Sequence, residues 1–261
     1  MENIRLFEAS LLNDGSYGIG FDYIKNIKNM KIAFTGSSGS GKTTLVKFVE
    51  KEFGLKHISG SAGDILTESD KARLVHSFGY NGGNGHNGVI QKSAASIAFG
   101  VNFQELLQMR RWELISNNND FVTDRSPLDN LTYFISQLGF HREIGDDYIE
   151  GFSNRCLQAW CELSHVIYVR AVQPGPIENN GSRIPNKWYQ QSSDAQFNYW
   201  LRSFFMKYRI QRIGLELRKP KVLIIDYWDL DKRKEELGRF LREPREIVKP
   251  PHNPNIPTAF G

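Results

Sequence analysis

Residues 36–44 read GSSGSGKTT and stand between an apolar run, KIAFT, and a helix-forming stretch, LVKFVEKEF. A Gly-x-x-x-x-Gly-Lys-Thr spacing in that setting suits one kind of chemistry, the holding of a polyphosphate. Gly36, Gly39 and Gly41 let successive backbone N–H groups turn inward, and the helix that starts behind them adds partial positive charge. Ser37, Ser38, Ser40 and Thr44 complete the cradle. Lys42 neutralises the outer phosphates, and Thr43 offers its hydroxyl to a Mg2+ ion that bridges phosphate oxygens and keeps several waters. ATP and Mg2+ are therefore the expected cofactors, with residues 36–44 as the nucleotide-binding loop.

A second group follows in FVTDRSP, residues 121–127. It puts Asp124 at the C-terminal end of an apolar strand, where open α/β sheets gather their ligands. Asp124 is a candidate for holding Mg2+ through water or for taking the proton of an attacking hydroxyl, and Arg125 for binding a phosphate. The alternative is that the two serve only as a helix-capping pair.

These residues need elements to position them. KIAFT (31–35), DFVTD (120–124), HVIYVR (165–170) and KVLIID (221–226) read as buried strands. Leu45, Phe48, Val49 and Phe53 recur at helical spacing before Gly54 stops the helix. Helices are also expected over 103–115, after Pro127 in LDNLTYFISQL, through about 145–162, and over 188–213. Strands alternating with helices imply a parallel sheet with right-handed crossovers, an α/β three-layer sandwich of the P-loop type with about five strands.

Other segments are irregular. Residues 1–29 read as an extension with a hairpin turn signal at Asn13-Asp14-Gly15, and 246–261 as an irregular tail with four prolines in its last twelve residues. SFGYNGGNGHNGVI (77–90) has five glycines and three asparagines, too many for a regular element, and loops that long inside a domain are usually functional or disordered.

Composition narrows the class. The 261 residues suffice for one α/β domain with insertions, and 40% hydrophobic content is that of an ordinary globule. No stretch approaches the roughly 20 apolar residues of a membrane span, and MENIRLFEAS lacks the apolar core of a signal peptide, so a cytoplasmic protein is expected. Cys156 and Cys161 suit neither a disulfide scaffold nor a metal clip and read as reduced thiols. His57, His76, His86 and His141 form no metal-ligand spacing with them. The net charge of +4 is too small to establish a polyanionic partner, but 202–221 and 232–249 are locally basic. These stretches are either solvated helix faces or surfaces for a phosphate backbone. Tyr227 and Trp228, after the last strand, either flank the adenine end or serve the core.

GSSGSGKTTL followed by TDRSPLDNLTYF resembles the thymidylate-kinase-like branch of P-loop nucleoside and nucleotide kinases, over roughly residues 30 to 230. Asn180-Gly181-Ser182-Arg183, then Tyr189-Gln190, Asp194 and Phe197, resemble that group's lid and the helix after it. The resemblance implies a kinase domain over 30–245, an acceptor loop near 77–92 and a lid near 173–190. It further implies that Arg183, with Lys187 second, meets the transferring phosphoryl group, and that Asp64 in HISGSAGDIL takes an acidic role. Either Asp64 or Asp124 would be the base.

For the acceptor, the chain is similar to phage kinases that phosphorylate 5-hydroxymethyluracil within DNA. That reading makes DNA the partner and assigns acceptor contacts to His86, Gln91, Arg110 and Arg111. The alternative is a soluble deoxynucleoside monophosphate kinase, with Arg110, Arg111 and Arg125 gripping the acceptor's phosphate, or a nucleoside kinase. A third reading is a non-kinase P-loop ATPase. Such proteins usually carry an acidic pair on the second strand, where FVTDR has a single carboxylate.

Overall fold

A computed structural model of the chain describes residues 29–72, 94–139, 141, 143–171, 187–211 and 220–243. The expected N-terminal extension up to residue 28, the acceptor loop 77–92, the lid up to residue 186 and the tail 246–261 lie outside the described residues.

Alternation along the strands divides the core in two. Ile32, Phe34, Val122, Ile167, Val169, Leu223 and Ile225 point to one face of the sheet; Ala33, Phe121, Val166 and Tyr168 point to the other. In chain order the elements are β1 (Lys31–Thr35), α1 (Lys42–Phe53), β2 (Lys56–His57), α2 (Ala62–Ile65), α3 (Ala94–Asn117), β3 (Phe121–Thr123), α4 (Pro127–Leu138), α5 (Asp146–Cys161), β4 (His165–Val169), α6 (Lys187–Gln211), β5 (Lys221–Ile225) and α7 (Leu230–Arg242). Leu45, Val46 and Val49 of α1, with Leu237 and Leu241 of α7, cover the first face. Phe134 of α4, Phe152, Cys156 and Trp160 of α5, and Phe197 and Phe204 of α6 cover the second. The Phe134 and Phe152 rings stack at 4.4 Å between centroids, which locks α4 to α5.

The sheet is the expected parallel one, with five strands in the order β2-β3-β1-β4-β5. Its edge strand β2 has only two residues, a lysine and a histidine, so no apolar run announces it. Other boundaries shift for local reasons. DFVTD shortens to Phe121–Thr123 because Asp120 adopts φ 51°, outside the extended range, while its carboxylate accepts from Met30 N–H at 2.8 Å. The helix expected over 103–115 runs from Ala94 to Asn117. Helix α4 starts where Pro127 places it. Ser126 is its N-cap, the Ser126 hydroxyl accepting from Leu128 N–H at 3.1 Å and Asp129 closing a capping box.

Both cysteines are free and buried, and burial pushes the Cys161 thiol up to about 12. Among the described residues no helix is long and apolar enough to cross a membrane, and no three or more His, Cys, Asp or Glu side chains are gathered to hold a metal ion.

Register then fixes the site. Ala33 lies opposite Thr123 and Thr35 opposite Tyr168, so the chain leaves β1, β3 and β4 at one carboxyl edge of the sheet.

Candidate active site

The glycine loop leaves β1 under a tight constraint. Gly36 has φ 133°, and a Cβ there would come within 2.2 Å of the Val169 carbonyl oxygen on β4, so only glycine fits. Gly39 and Gly41 also have positive φ, and Gly41 is the N-cap of α1. Lys42 is buried, and its Nζ donates to the Gly36 and Ser37 carbonyls at 2.7 Å each. Thr43 and Thr44, in the first turn of the helix, are exposed. The loop forms at the start of a helix, where backbone N–H groups have no intrahelical acceptor.

Two residues that sequence reasoning passed over as phosphate-loop partners reach the same loop. Gln190, in the first turn of α6, donates from Nε2 to the Ser38 carbonyl at 2.6 Å. Arg233, in the first turn of α7, donates from Nη1 to the Ser40 carbonyl at 2.8 Å and from Nε to the Tyr227 carbonyl. Its guanidinium lies 5.1 Å from the centre of the half-exposed Trp228 ring. Burial lowers the Arg233 pKa against the opposing pull of Tyr227. Gln190 falls in the stretch that resembles a lid and the helix after it, with no role at the loop assigned to it, and no motif contains Arg233, which is 193 positions from Ser40. Tyr227 itself packs with the core on the α1 side and donates to Glu236.

Beside the loop, β3 ends at Asp124. One of its carboxylate oxygens accepts from Gly60 N–H at 3.0 Å, and the other has no partner among the described residues. Gly60 is wedged in place: a Cβ would meet the Arg125 Cβ at 2.7 Å and the Thr123 hydroxyl at 2.8 Å. The Gly60 carbonyl accepts two bonds from Arg111, at 2.9 and 3.0 Å, while Arg111 also donates to Asn130. Arg111 is buried on α3, and desolvation pulls its pKa down to about 10 against the favourable charge of Asp129. Arg125 donates to Asp129 at 3.1 Å and to the Tyr133 hydroxyl at 3.4 Å. Burial opposes its charge, yet Tyr133 and Asp129 hold it above the usual arginine value.

Asp129 links this cluster to the loop strand, accepting from the Thr35 hydroxyl at 2.9 Å and from Ser126 N–H at 2.8 Å. Asp129 sits inside the DRSPLD segment, and its fully buried carboxylate joins β1, α4 and Arg125. Hydrophobic periodicity hides it, because it occupies a capping position and not a core one.

The structure thus brings together Gly36 to Thr44, Asp124, Arg125 and Arg111. Arg110, next to Arg111 but turned to another partner set, is held by Asp70 at 2.8 Å and Glu113 at 2.7 Å. Its guanidinium holds the Asp70 carboxyl well below the ordinary range. Asp64, in α2, is exposed, and the Ser59 and Ser61 hydroxyls, both 2.6 Å from one of its oxygens, lower its pKa. Arg183, His86 and Gln91 lie outside the described residues.

A family model for deoxynucleoside kinases matches residues 32–249. No curated protein matches the chain. Among solved structures, deoxyadenosine kinase from M. mycoides with bound dCTP is similar at 15% identity and a TM-score of 0.44, over 81% of this chain and 98% of that one. Thymidylate kinase from Candida albicans aligns at 13% identity and 0.46, over 83% and 92%. Shikimate kinase from Acinetobacter baumannii aligns at 11% and 0.42, over 84% and 96%.

Proposed function

The chain belongs to the deoxynucleoside kinase family and is an ATP-dependent phosphotransferase acting on nucleosides or nucleotides; from that premise we propose that its acceptor is a free deoxynucleoside. One observation carries the choice. A monophosphate acceptor needs arginines available to grip its phosphate. Here all three arginines nominated for that grip are engaged by the protein. Arg110 is held by Asp70 and Glu113, Arg111 by Gly60 and Asn130, and Arg125 by Asp129 and Tyr133. An acceptor that presents a hydroxyl and no phosphate suits such a site.

In this reading the nucleotide's phosphates lie over residues 36–44, with Lys42 exchanging its loop carbonyls for phosphate oxygens. Hard oxygen donors suit Mg2+, and the exposed Thr43 hydroxyl and, through water, the unpartnered oxygen of Asp124 would hold it. The ion supplies charge neutralisation on the phosphates when bound. Asp124 is the stronger candidate for orienting the attacking hydroxyl, because it stands at the end of β3 beside the strand that carries the loop. Asp64 sits exposed on α2, not at the carboxyl end of the strand beside the loop, with one carboxylate oxygen bonded by two serines. A loose phosphoryl-transfer transition state demands positioning more than basicity. Arg183 completes the charge balance on the moving group.

The test offers γ-labelled ATP with free deoxynucleosides, deoxynucleoside monophosphates, and duplex DNA with or without 5-hydroxymethyluracil. Label on free deoxynucleosides is expected. Label confined to hydroxymethylated DNA would replace this reading with the DNA kinase, label on monophosphates alone with the nucleotide kinase, and phosphate release without any acceptor with an ATPase.

A further inference from the structure

The carbonyl side of the phosphate loop is taken up peptide by peptide. Lys42 holds the carbonyls of Gly36 and Ser37, Gln190 that of Ser38, and Arg233 that of Ser40. In a trans peptide the C=O and the following N–H point in opposite directions. Drawing the Ser38 carbonyl toward α6 and the Ser40 carbonyl toward α7 therefore turns the Gly39 and Gly41 N–H groups away from those helices. Neither N–H has an acceptor among the described residues. Successive N–H groups released in this way are what a concave anion site is made of.

The two side chains have further features that an ordinary packing role leaves unexplained. Arg233 is 3% exposed, forms no ion pair among the described residues, and buries its Nη2 without a partner. A buried guanidinium with no carboxylate is unfavourable unless an anion offsets it. The loop beside it is built for a polyanion. Gln190 is 1% exposed, and its Oε1 is likewise buried without a partner. It also stands in the first turn of the helix that follows residue 186, so the position of that helix is transmitted directly to the Ser38–Gly39 peptide.

We propose that Gln190 and Arg233 are positioning residues of the phosphate loop, Gln190 orienting the Ser38–Gly39 peptide and Arg233 the Ser40–Gly41 peptide. Arg233 also sets a fixed positive charge behind the loop. Neither touches the transferring atoms. The inference rests on the reading of residues 36–44 as the nucleotide site.

The experiment measures ADP affinity calorimetrically for the full chain and for Lys42→Ala, Gln190→Glu, Arg233→Met and Arg233→Lys. It also follows the 15N–1H shifts of Gly39 and Gly41 on ADP addition. Losing a charge-assisted bond costs about tenfold to a hundredfold in affinity, and that loss is expected in Arg233→Met, with Arg233→Lys recovering part of it. Gln190→Glu replaces a neutral bond by a carboxylate that cannot donate to the Ser38 carbonyl, and a loss of about twofold to tenfold is expected. The ADP-induced shift should vanish at Gly39 in the Gln190 variant and at Gly41 in the Arg233→Met variant, each leaving the other amide responsive. In steady-state kinetics with ATP varied, KM for ATP should change more than kcat. Equal ADP affinity in the unsubstituted protein, Gln190→Glu and Arg233→Met overturns the inference and leaves the nucleotide site standing. So does loss of both amide responses in every variant together with a lowered Tm, which would mark general damage to the loop. Failure of the unsubstituted protein to bind ADP overturns the nucleotide site itself, and this inference with it.

Discussion

The phosphate loop and the arginine cluster around Gly60 lie side by side at one edge of the sheet, yet they are built in opposite ways. The loop is nine consecutive residues whose working groups are backbone N–H. Its conformation is dictated by glycines at positive φ and by one forbidden Cβ position, at Gly36. The cluster draws Gly60, Arg111, Asp124, Arg125, Asp129 and Asn130 from three separate stretches of chain. Its working groups are mostly side chains, among them one buried cation, Arg111, and one half-buried, Arg125. A backbone site is insensitive to most substitutions and ruined by a few. A side-chain network spreads its dependence over every member, since each buried polar group left without its partner carries its own desolvation penalty.

That contrast can be pressed at several points. Lys42→Ala should have the largest effect, lowering turnover by about 10²–10³-fold while the far-ultraviolet spectrum and Tm stay near those of the unsubstituted protein, because catalysis leans on the charge and the fold does not. Gly36→Ala should combine both losses. The Cβ meets the Val169 carbonyl in a strained backbone region, so denaturant titration should show a stability loss of roughly 2–4 kcal/mol together with loss of nucleotide binding. Arg111→Met strips the Gly60 carbonyl and Asn130 of their buried partner, which should destabilise by about 2–4 kcal/mol. In steady-state kinetics it should raise KM for the acceptor more than KM for ATP. If KM for ATP rises equally, the two regions are one unit and the comparison fails.

Arg110→Ala should do least. The guanidinium is partly exposed but the Asp70 carboxylate it holds is buried and would keep only its Thr67 contacts, so removing it should cost about 1–2 kcal/mol and leave both KM values unchanged. Its pH signature has a definite sign. Arg110 holds the folded Asp70 carboxyl below its ordinary 3.8, so the pair's contribution is fully present above that value and drains as pH falls through the lowered one. Stability curves for the variant and the unsubstituted protein should converge on acidification. Curves that stay parallel down to the acid limit would show that the pair contributes nothing.

Much of the α/β frame was legible because its signals are local. KIAFT, HVIYV and KVLII are apolar runs with nothing to interrupt them, and Pro127 marks the start of α4 to the residue. The two-residue β2 was not, since a lysine and a histidine become a strand only when β3 is there to pair with them. In the site, the loop residues and Asp124 stood out by motif. Asp129 was visible in DRSPLD but had no role until Thr35 and Arg125 were seen to converge on it.

Sequence by itself determined the phosphate cradle, since glycine spacing and the strand and helix on either side are short-range properties that fix where the backbone N–H groups point. Tertiary structure alone decided which charges accompany it. Arg110 and Arg111 are neighbours with the same chemistry, but successive positions on a helix are turned about 100° apart, so one meets Asp70 and the other Gly60. Gln190 and Arg233 reach the loop only because the sheet order puts β1 next to β4 and, two strands over, β5, bringing the starts of α6 and α7 to the edge where the loop emerges. Those contacts span more than 150 residues, and nothing in a local stretch of sequence encodes them.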